Sequence, residues 1–335
     1  MSYTHLSERE RYVLGHQHMA GWSVSKMSQW SGRSKATLSR ELRRNRHEYF
    51  ECYDSYSAGG IARRRRVESR GPVKMKHVPL ADYVKQGLGQ QWSPQQISER
   101  LKLDHPQDAK MRISHQCIYQ WIRLDRESGG ICYKDLRQSS RKRRKRYGSS
   151  AKTGQIKDRV GIEQRPAEVG LKQRVGDWES DTMVGTHTRG PKLATHVERK
   201  TRYVKIARLG DGRAGSFNKG TRRVFAKIAV AARLTMTTDN GKEFAKFKEL
   251  EKSLGLKVYF AHPYTSWERG LNENTNGLIR QYFPKKTDFA SVSHQQVAEV
   301  EWKLNNRPRK CLGYRTPEEV LAMSLSCPAG VALQI

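Results

Sequence analysis

Apolar residues recur along this chain with two different periods, and the change from one to the other divides it. From residue 5 to 45 the spacing is helical, and three short helices are expected. Ser7 can cap the first, with Glu10 three positions on completing a capping box. Tyr12, Leu14 and Met19 give that helix an apolar side, and Gly21 ends it. Ser23 opens a second helix carrying Val24, Met27 and Trp30, which Gly32 breaks; Ser34 opens a third, Lys35 to Leu42. Residues 51–90 read as a basic connection, in which Tyr53 and Tyr56 precede Arg63-Arg64-Arg65-Arg66 and Gly71-Pro72 breaks the chain. A second helical unit is expected over residues 91–135. Ser93 caps it with Pro94 at the first helical position, Ile97, Leu101 and Leu103 line one side, and Ser114 caps a helix from His115 to Ile122.

After residue 162 the period alternates. Strands are expected at Asp177 to Val184, Lys192 to Glu198 and Tyr203 to Leu209, the last two joined as a hairpin. A helix from Ser216 to Ala232, a strand ending at Thr238, a helix from Phe244 to Ser253 and a strand from Lys257 to Phe260 follow. A helix around Glu273 and a final one from Ser293 to Asn306 complete a domain over residues 162–325, with residues 326–335 as a tail. Three antiparallel strands followed by alternating helices and strands make an α/β fold, so the chain reads as multidomain, all-α in front and α/β behind.

The first helical unit has the form of a helix-turn-helix: a short helix, a tight turn containing glycine, and a second helix with a polar face. Such a second helix enters the major groove, and Ser34, Lys35, Thr37, Ser39, Arg40, Arg43 and Arg44 are its candidate DNA contacts. Hydroxyls reach bases or phosphates, and arginine forks onto guanine. The second unit repeats the pattern with a longer inter-helix segment, and Ser114, His115, Gln116 and Tyr119 would face DNA. Residues 136–161, with Arg141, Lys142, Arg143 and Arg144 opening the densest charge run, read as a flexible basic linker able to follow a phosphate backbone.

Charge sharpens this. The chain has 335 residues, 64 Lys and Arg against 33 Asp and Glu, and a formal net charge of +31. That excess predicts a polyanionic partner, because Lys and Arg gain affinity by releasing counterions from phosphates. No apolar run is long enough to span a bilayer and no signal peptide precedes Ser2, so double-stranded DNA is the expected partner rather than a membrane, in the cytoplasm and on the nucleoid. The five cysteines are scattered and odd in number, which fits reduced thiols better than a zinc site.

Against this basic background, a few acids stand out. Asp239 follows a β-rich run and precedes the turn signal Asn240-Gly241, which puts it at the C-terminal end of a strand. On the expected helix from Leu271, Glu273 shares a face with Asn276 and Arg280, while Leu271, Thr275, Leu278, Ile279 and Tyr282 can face a core. Asp177, Glu179 and Asp181 alternate onto one face of the first strand, and spacing alone does not choose among them. Three acids drawn from distant segments repel one another unless divalent cations neutralise them. Mg²⁺ takes one or two carboxylates plus substrate phosphates, and two ions about 3.5–4 Å apart can clamp both oxygens of a phosphoryl displacement.

Trp178-x-x-Asp181, Thr238-Asp239-Asn240-Gly241 and Glu273-x-x-Asn276 resemble the DDE transposases and retroviral integrases. The longer run from Pro263 to Lys285, the segment Leu304 to Glu319 and the opening Tyr3-Thr4-His5-Leu6-Ser7 resemble the insertion-sequence-30 family of bacterial transposases, over nearly the whole chain. The resemblance implies an RNase H-like catalytic domain, with Asp181, Asp239 and Glu273 as catalytic acids holding two Mg²⁺ or Mn²⁺ ions. It implies cleavage at the terminal inverted repeats and joining of the 3′-hydroxyl to target DNA, by at least a dimer and with no small-molecule substrate. In that setting Asn276, Arg280, Lys285 and Lys286 would hold a ligand or the DNA backbone near the metals. A DNA-binding repressor with an inactive catalytic domain is argued against by the intact acids. A structure-specific nuclease of the same fold is argued against by the tandem helix-turn-helix units.

Overall fold

Capping residues set where the first helices begin. Ser7 accepts from the Glu10 amide while Glu10 reaches back to the Ser7 amide, the reciprocal box expected from the sequence. Ser23 and Ser34 cap the next two by accepting from the Lys26 and Thr37 amides, without the reciprocal half. The helices are α1 (Glu8–Met19), α2 (Val24–Ser31) and α3 (Lys35–Arg44). The computed structural model describes residues 5–47, 52–68, 74–137, 156, 158–187, 190–263 and 265–326. Arg141, Lys142, Arg143 and Arg144 therefore lie outside the described residues, as do Tyr49, Phe50 and the C-terminal tail from residue 327.

The chain divides into two compact units, Met1–Val78 and Pro79–Ile335. In the first, Leu6, Leu14, Met27, Leu38, Leu42, Tyr53 and Ala58 form the core. Tyr12, Met19 and Trp30, expected on apolar sides, are instead exposed. Their places are taken from a segment expected to be a connection. Residues of α4 (Ser55–Glu68) pack on α1, and a Cβ at Gly15 would stand 2.8 Å from that of Ser55. The arginine run 63–66 is thus helical and exposed rather than an unstructured arm. Arg63 pairs with Glu8 at 2.9 Å, and Arg65 donates to the Arg44 carbonyl.

The second helical unit, expected as a helix-turn-helix, also takes in part of the expected connection. It consists of α5 (Val78–Gly89), α6 (Pro94–Asp104) and α7 (His115–Glu127). Ser93 caps α6 in a full box with Gln96, and Ser114 caps α7. Leu80, Val84, Leu88, Ile97, Leu101, Ile118 and Ile122 are buried, whereas Leu103 is exposed. Gly87 is where α5 and α6 touch: a Cβ there would come within 2.8 Å of Ile97, so any larger residue would force the helices apart.

A short helix α8 (Ala167–Leu171) leads into a five-stranded sheet. Its strands are β1 (Asp177–Val184), β2 (Lys192–Glu198), β3 (Val204–Leu209), β4 (Thr235–Thr238) and β5 (Lys257–Phe260), in the order β3-β2-β1-β4-β5. The first three pair antiparallel, and β4 joins β1, and β5 joins β4, in parallel. Between them run α9 (Ala214–Phe225) and α10 (Phe247–Leu254), and after them come α11 (Gly270–Tyr282), α12 (His294–Asn305) and α13 (Pro317–Ser326). The helix expected to reach Ala232 stops at Phe225 and passes into a 3₁₀ turn, Val230–Ala232. This is the RNase H-like order, with helices on both faces. Trp178, Ala194, Met236 and Phe260 bury one face against Phe217, Phe225 and Phe247 of α9 and α10. Met183, Leu193, Val197 and Ile206 bury the other against Leu278, Ile279, Val300 and Leu304 of α11 and α12.

Candidate active site

Strand alternation settles what Trp178 and Asp181 do. Three residues apart, they must point to opposite faces. Trp178 is fully buried on the α9 side, its ring 4.8 Å from that of Phe225 and its Nε1 donating to the Ala232 carbonyl at 2.8 Å. The other face of β1 carries Asp177, Glu179 and Asp181, and the structure distinguishes them. Asp177 is buried, held by Arg174 at 2.8 Å and the Thr235 hydroxyl at 2.7 Å. Glu179 is buried too, paired with Arg199 at 2.6 Å, and accepts from the Leu271 and Asn272 amides at 3.1 and 3.0 Å. It therefore caps the N-terminus of α11 and fixes that helix over the sheet. Only Asp181 remains partly open, with a side chain 25% exposed.

Asp239 reaches the same place from the neighbouring strand. The parallel register pairs Asp177 with Thr235 and Glu179 with Thr237, and continuing that offset sets Asp181 opposite Asp239. Arg269 lies between them, 3.5 Å from Asp181 and 3.3 Å from Asp239. Its own Nε is buried without a hydrogen-bond partner. Burial pushes the Asp181 carboxyl up to about 6, against the pull of Arg269, and the charge of Asp239 adds to the rise. The Asp239 Oδ1 accepts from the Gly241 amide at 2.9 Å, which holds the turn after β4.

Asn276 of α11 touches this pair directly. Its Nδ2 donates to Asp181 at 2.9 Å and its Oδ1 accepts from the Thr195 hydroxyl at 2.9 Å, so it orients the acid rather than standing free for a phosphate. Glu273 is exposed one turn before it on the same helix. Residues three apart share a helix face, with Cβ atoms about 5–6 Å apart, so Glu273 borders the site. No hydrogen bond or ion pair joins it to Asp181 or Asp239, and among the described residues no three His, Cys, Asp or Glu side chains are gathered closely enough to hold a metal ion.

Two further acids fall otherwise than the sequence suggests, which reads Glu243 as a solvated helix-start acid and Glu268 as a cap or a partner of Arg269. Glu243 is half-buried, accepts from the Thr182 hydroxyl at 2.5 Å and adds to the negative field on Asp181. Glu268 binds His262 Nδ1 at 2.9 Å and the Thr265 hydroxyl at 2.9 Å, leaving Arg269 to the aspartates. Neither signal was periodic: Arg269 sits in a 3₁₀ turn, Ser266–Arg269, and its partners lie 88 and 30 positions away.

The expected DNA contacts divide in the same way. Lys35, Ser39, Arg40, Arg43 and Arg44 are exposed on α3, but Ser34 caps that helix and Thr37 is bonded to it at 2.9 Å. On α7, Ser114 is likewise the cap, and His115, Gln116 and Tyr119 are exposed. Lys285 and Lys286 are exposed past the end of α11. Arg280 is not free: it donates to the carbonyls of Val184 and Pro284 at 2.8 and 3.3 Å and braces the end of β1.

With this geometry in hand, the relatives are informative. The chain is 39% identical over 320 residues to the transposase for insertion sequence element IS4351 of Bacteroides fragilis, covering 94% of each chain. It is 36% identical to transposase InsI for insertion sequence element IS30A of Escherichia coli K12, covering 94% of this chain and 82% of that one. This chain belongs to the insertion-sequence-30 family of transposases. The transposase for insertion sequence element IS1086 of Cupriavidus metallidurans is a further relative, at 36% identity over 97% and 96% of the two chains. Residues 2–45 match the family described as a helix-turn-helix domain. As a transposase the chain is an enzyme that acts on DNA. No helix among its described residues is long and apolar enough to cross a membrane. Two solved structures overlap it loosely. One is a simian T-cell lymphotropic virus intasome with a PP2A regulatory subunit, at 16% identity and a TM-score of 0.40, covering 56% of this chain and 65% of that one. The other is the catalytic core domain of BIV integrase, at 18% and 0.37, covering 44% and 95%. Neither overlap is close enough to add to the strand order itself.

Proposed function

We propose that this transposase cuts the phosphodiester bonds at the terminal inverted repeats of its insertion sequence and joins the freed 3′-hydroxyl to target DNA. Asp181, Asp239 and Glu273 are its catalytic acids, holding two Mg²⁺ or Mn²⁺ ions. The observation that carries this reading is the meeting of Asp181 and Asp239 across β1 and β4 under one guanidinium. Two like charges in a half-buried site, one of them with its pKa raised, call for a cation, and an all-oxygen donor set suits a hard one. Such ions, when bound, would polarise the scissile phosphate and the attacking oxygen.

The chain's own residues do the rest. Asn276 bonds Asp181 and orients it, and Glu179 anchors α11, the helix that carries Glu273. Arg269 neutralises the pair and offers a charge to a phosphate that displaces it. Lys285 and Lys286, exposed just past α11, would hold the DNA backbone, and Lys35, Ser39, Arg40, Arg43 and Arg44 would contact terminal DNA through α3. His115, Gln116 and Tyr119 would do the same through α7. Two ends must be brought together, so the working form is a dimer or larger, on the nucleoid in the bacterial cytoplasm.

The test is Asp239→Asn with labelled element-end DNA and Mg²⁺. The variant is expected to bind that DNA as the parent does and to neither nick nor join it. Full strand transfer by the variant would overturn the assignment.

A further inference from the structure

Helix α6 is tied to a segment more than two hundred residues later. Arg100 of α6 forks onto Glu319 of α13, with Nη–Oε distances of 2.6 and 2.5 Å. Its Nε is held by Asp104 at 2.9 Å, and its side chain is only 14% exposed. One turn earlier, Gln96 donates to the Pro308 carbonyl at 2.5 Å and accepts from Arg307 at 3.2 Å. Arg307 is 3% exposed and also reaches Gln281, near the end of α11. A continuous set of side chains therefore runs from α6, through residues 307–319, to the helix that carries Asn276 and Glu273. Meanwhile α7 packs inward through Ile118 and Ile122 and leaves His115, Gln116 and Tyr119 open to solvent.

A bidentate arginine–carboxylate pair fixes direction as well as distance. A surface pair between mobile segments contributes little, but here the arginine is 14% exposed, its partner is 38% exposed, and a second contact one turn away backs the pair. We propose that Arg100 and Glu319 are positioning residues: they lock the second helix-turn-helix onto the catalytic domain, so that the bases read by α7 stand a fixed distance from the bond that is cut. This rests on the reading that the acid site cuts element ends. It makes the cleavage position a property of the protein's own frame, independent of how residues 138–155 are arranged.

The experiment compares the full-length protein with Arg100→Glu, Glu319→Arg and the double exchange. Cut positions are mapped on end-labelled terminal DNA with Mg²⁺, and unfolding of each protein is followed by calorimetry. Each single variant is expected to scatter its cuts over neighbouring phosphates and to lose about a hundredfold in rate at the native position, the scale of a misplacement near 1 Å. Each is also expected to unfold its second helix-turn-helix ahead of the catalytic domain. The double exchange restores one cut position and joint unfolding. Glu319→Gln, which keeps the shape, serves if a charge reversal does not fold, and is expected to give the same scatter in milder form. Native cut positions and joint unfolding in the single variants would overturn the proposal. If even the parent cuts nothing, the reading of the acid site fails, and the unfolding data still decide the lock: separate unfolding of the single variants, repaired by the exchange, supports it, and joint unfolding throughout overturns it.

Discussion

In the first helix-turn-helix, the charged residue facing inward from the first helix finds its partner at home. Arg11 of α1 meets Glu41 of α3 at 2.7 Å, both nearly buried, and Tyr53 donates to the same carboxylate at 3.4 Å. In the second, a comparably shielded arginine, Arg100 of α6, finds its partner far off, Glu319 in α13. The local grammar is the same in both: serine-capped helices and an apolar face completed by one extra helix, α4 in the first and α5 in the second. What differs is the sequence distance of the ionic partner, 30 residues against 219. The first motif is thereby a unit in its own right, while the second is part of the body that carries the acids. Motif content does not say which of two similar helical units is joined to the α/β body; the partner of one arginine does.

The largest test of this contrast is a cavity in each core. Leu38→Ala in α3 and Ile118→Ala in α7, both essentially unexposed, should each cost about 2–5 kcal/mol. Calorimetry should then show Leu38→Ala lowering only the transition of the N-terminal unit, with Ile118→Ala lowering that of the catalytic body. A shift of both transitions by either variant would erase the distinction.

Acid offers a second way to separate the units. His196 is fully buried, with Nδ1 2.7 Å from the Ser180 hydroxyl and its ring against Phe217 and Phe225. Burial, with Lys205 nearby, pushes its pKa down to about 3 from an ordinary 6.5. Between those values the unfolded chain holds a proton that the folded chain does not. The stability that this group contributes is therefore complete above pH 6.5 and is lost as pH falls toward 3, by about 1.4 kcal/mol per pH unit. Denaturant titrations at pH 7, 6 and 5 should show that loss in the catalytic body, and His196→Gln should flatten it without altering the N-terminal transition.

The smallest effect comes from the caps. Ser34→Ala and Ser114→Ala should each cost about 0.5–2 kcal/mol, read as a lower melting temperature of the N-terminal unit for the first and of the catalytic body for the second. Equal shifts in one shared transition would count against two independently held motifs.

Much of the molecule was legible from local order. The capping box at Ser7, the cap at Ser93, the bounds of β1, β2 and β5 and the strand end before Asp239 all stand where the local pattern put them. These depend on neighbours a few residues apart, which is the range over which capping and alternation act. Residues 55–68 read as connection because their arginines and glycines show little apolar stripe, and their helix is secured by packing on α1; residues 78–89 do carry a stripe, Leu80, Val84 and Leu88 at helical spacing, which the flanking basic segment and Gly87 and Gly89 obscure. The exposure of Tyr12, Met19, Trp30 and Leu103 has the same origin, since a helix has one apolar side only after its neighbours choose it.

By itself, the sequence determined the strand order's raw material, the two capped helix-turn-helix motifs, the polyanion-seeking charge and the three acids as candidates. Only the tertiary structure decided that Glu179 caps a helix while Asp181 meets Asp239, that Arg269 serves that pair while Glu268 binds His262, and that Arg280 braces a strand. It alone joined Arg100 to Glu319. The reason is physical: caps and alternation are written in bonds between near neighbours, whereas the partner of a buried charge is whichever opposite charge the fold brings within about 4 Å, at any sequence distance.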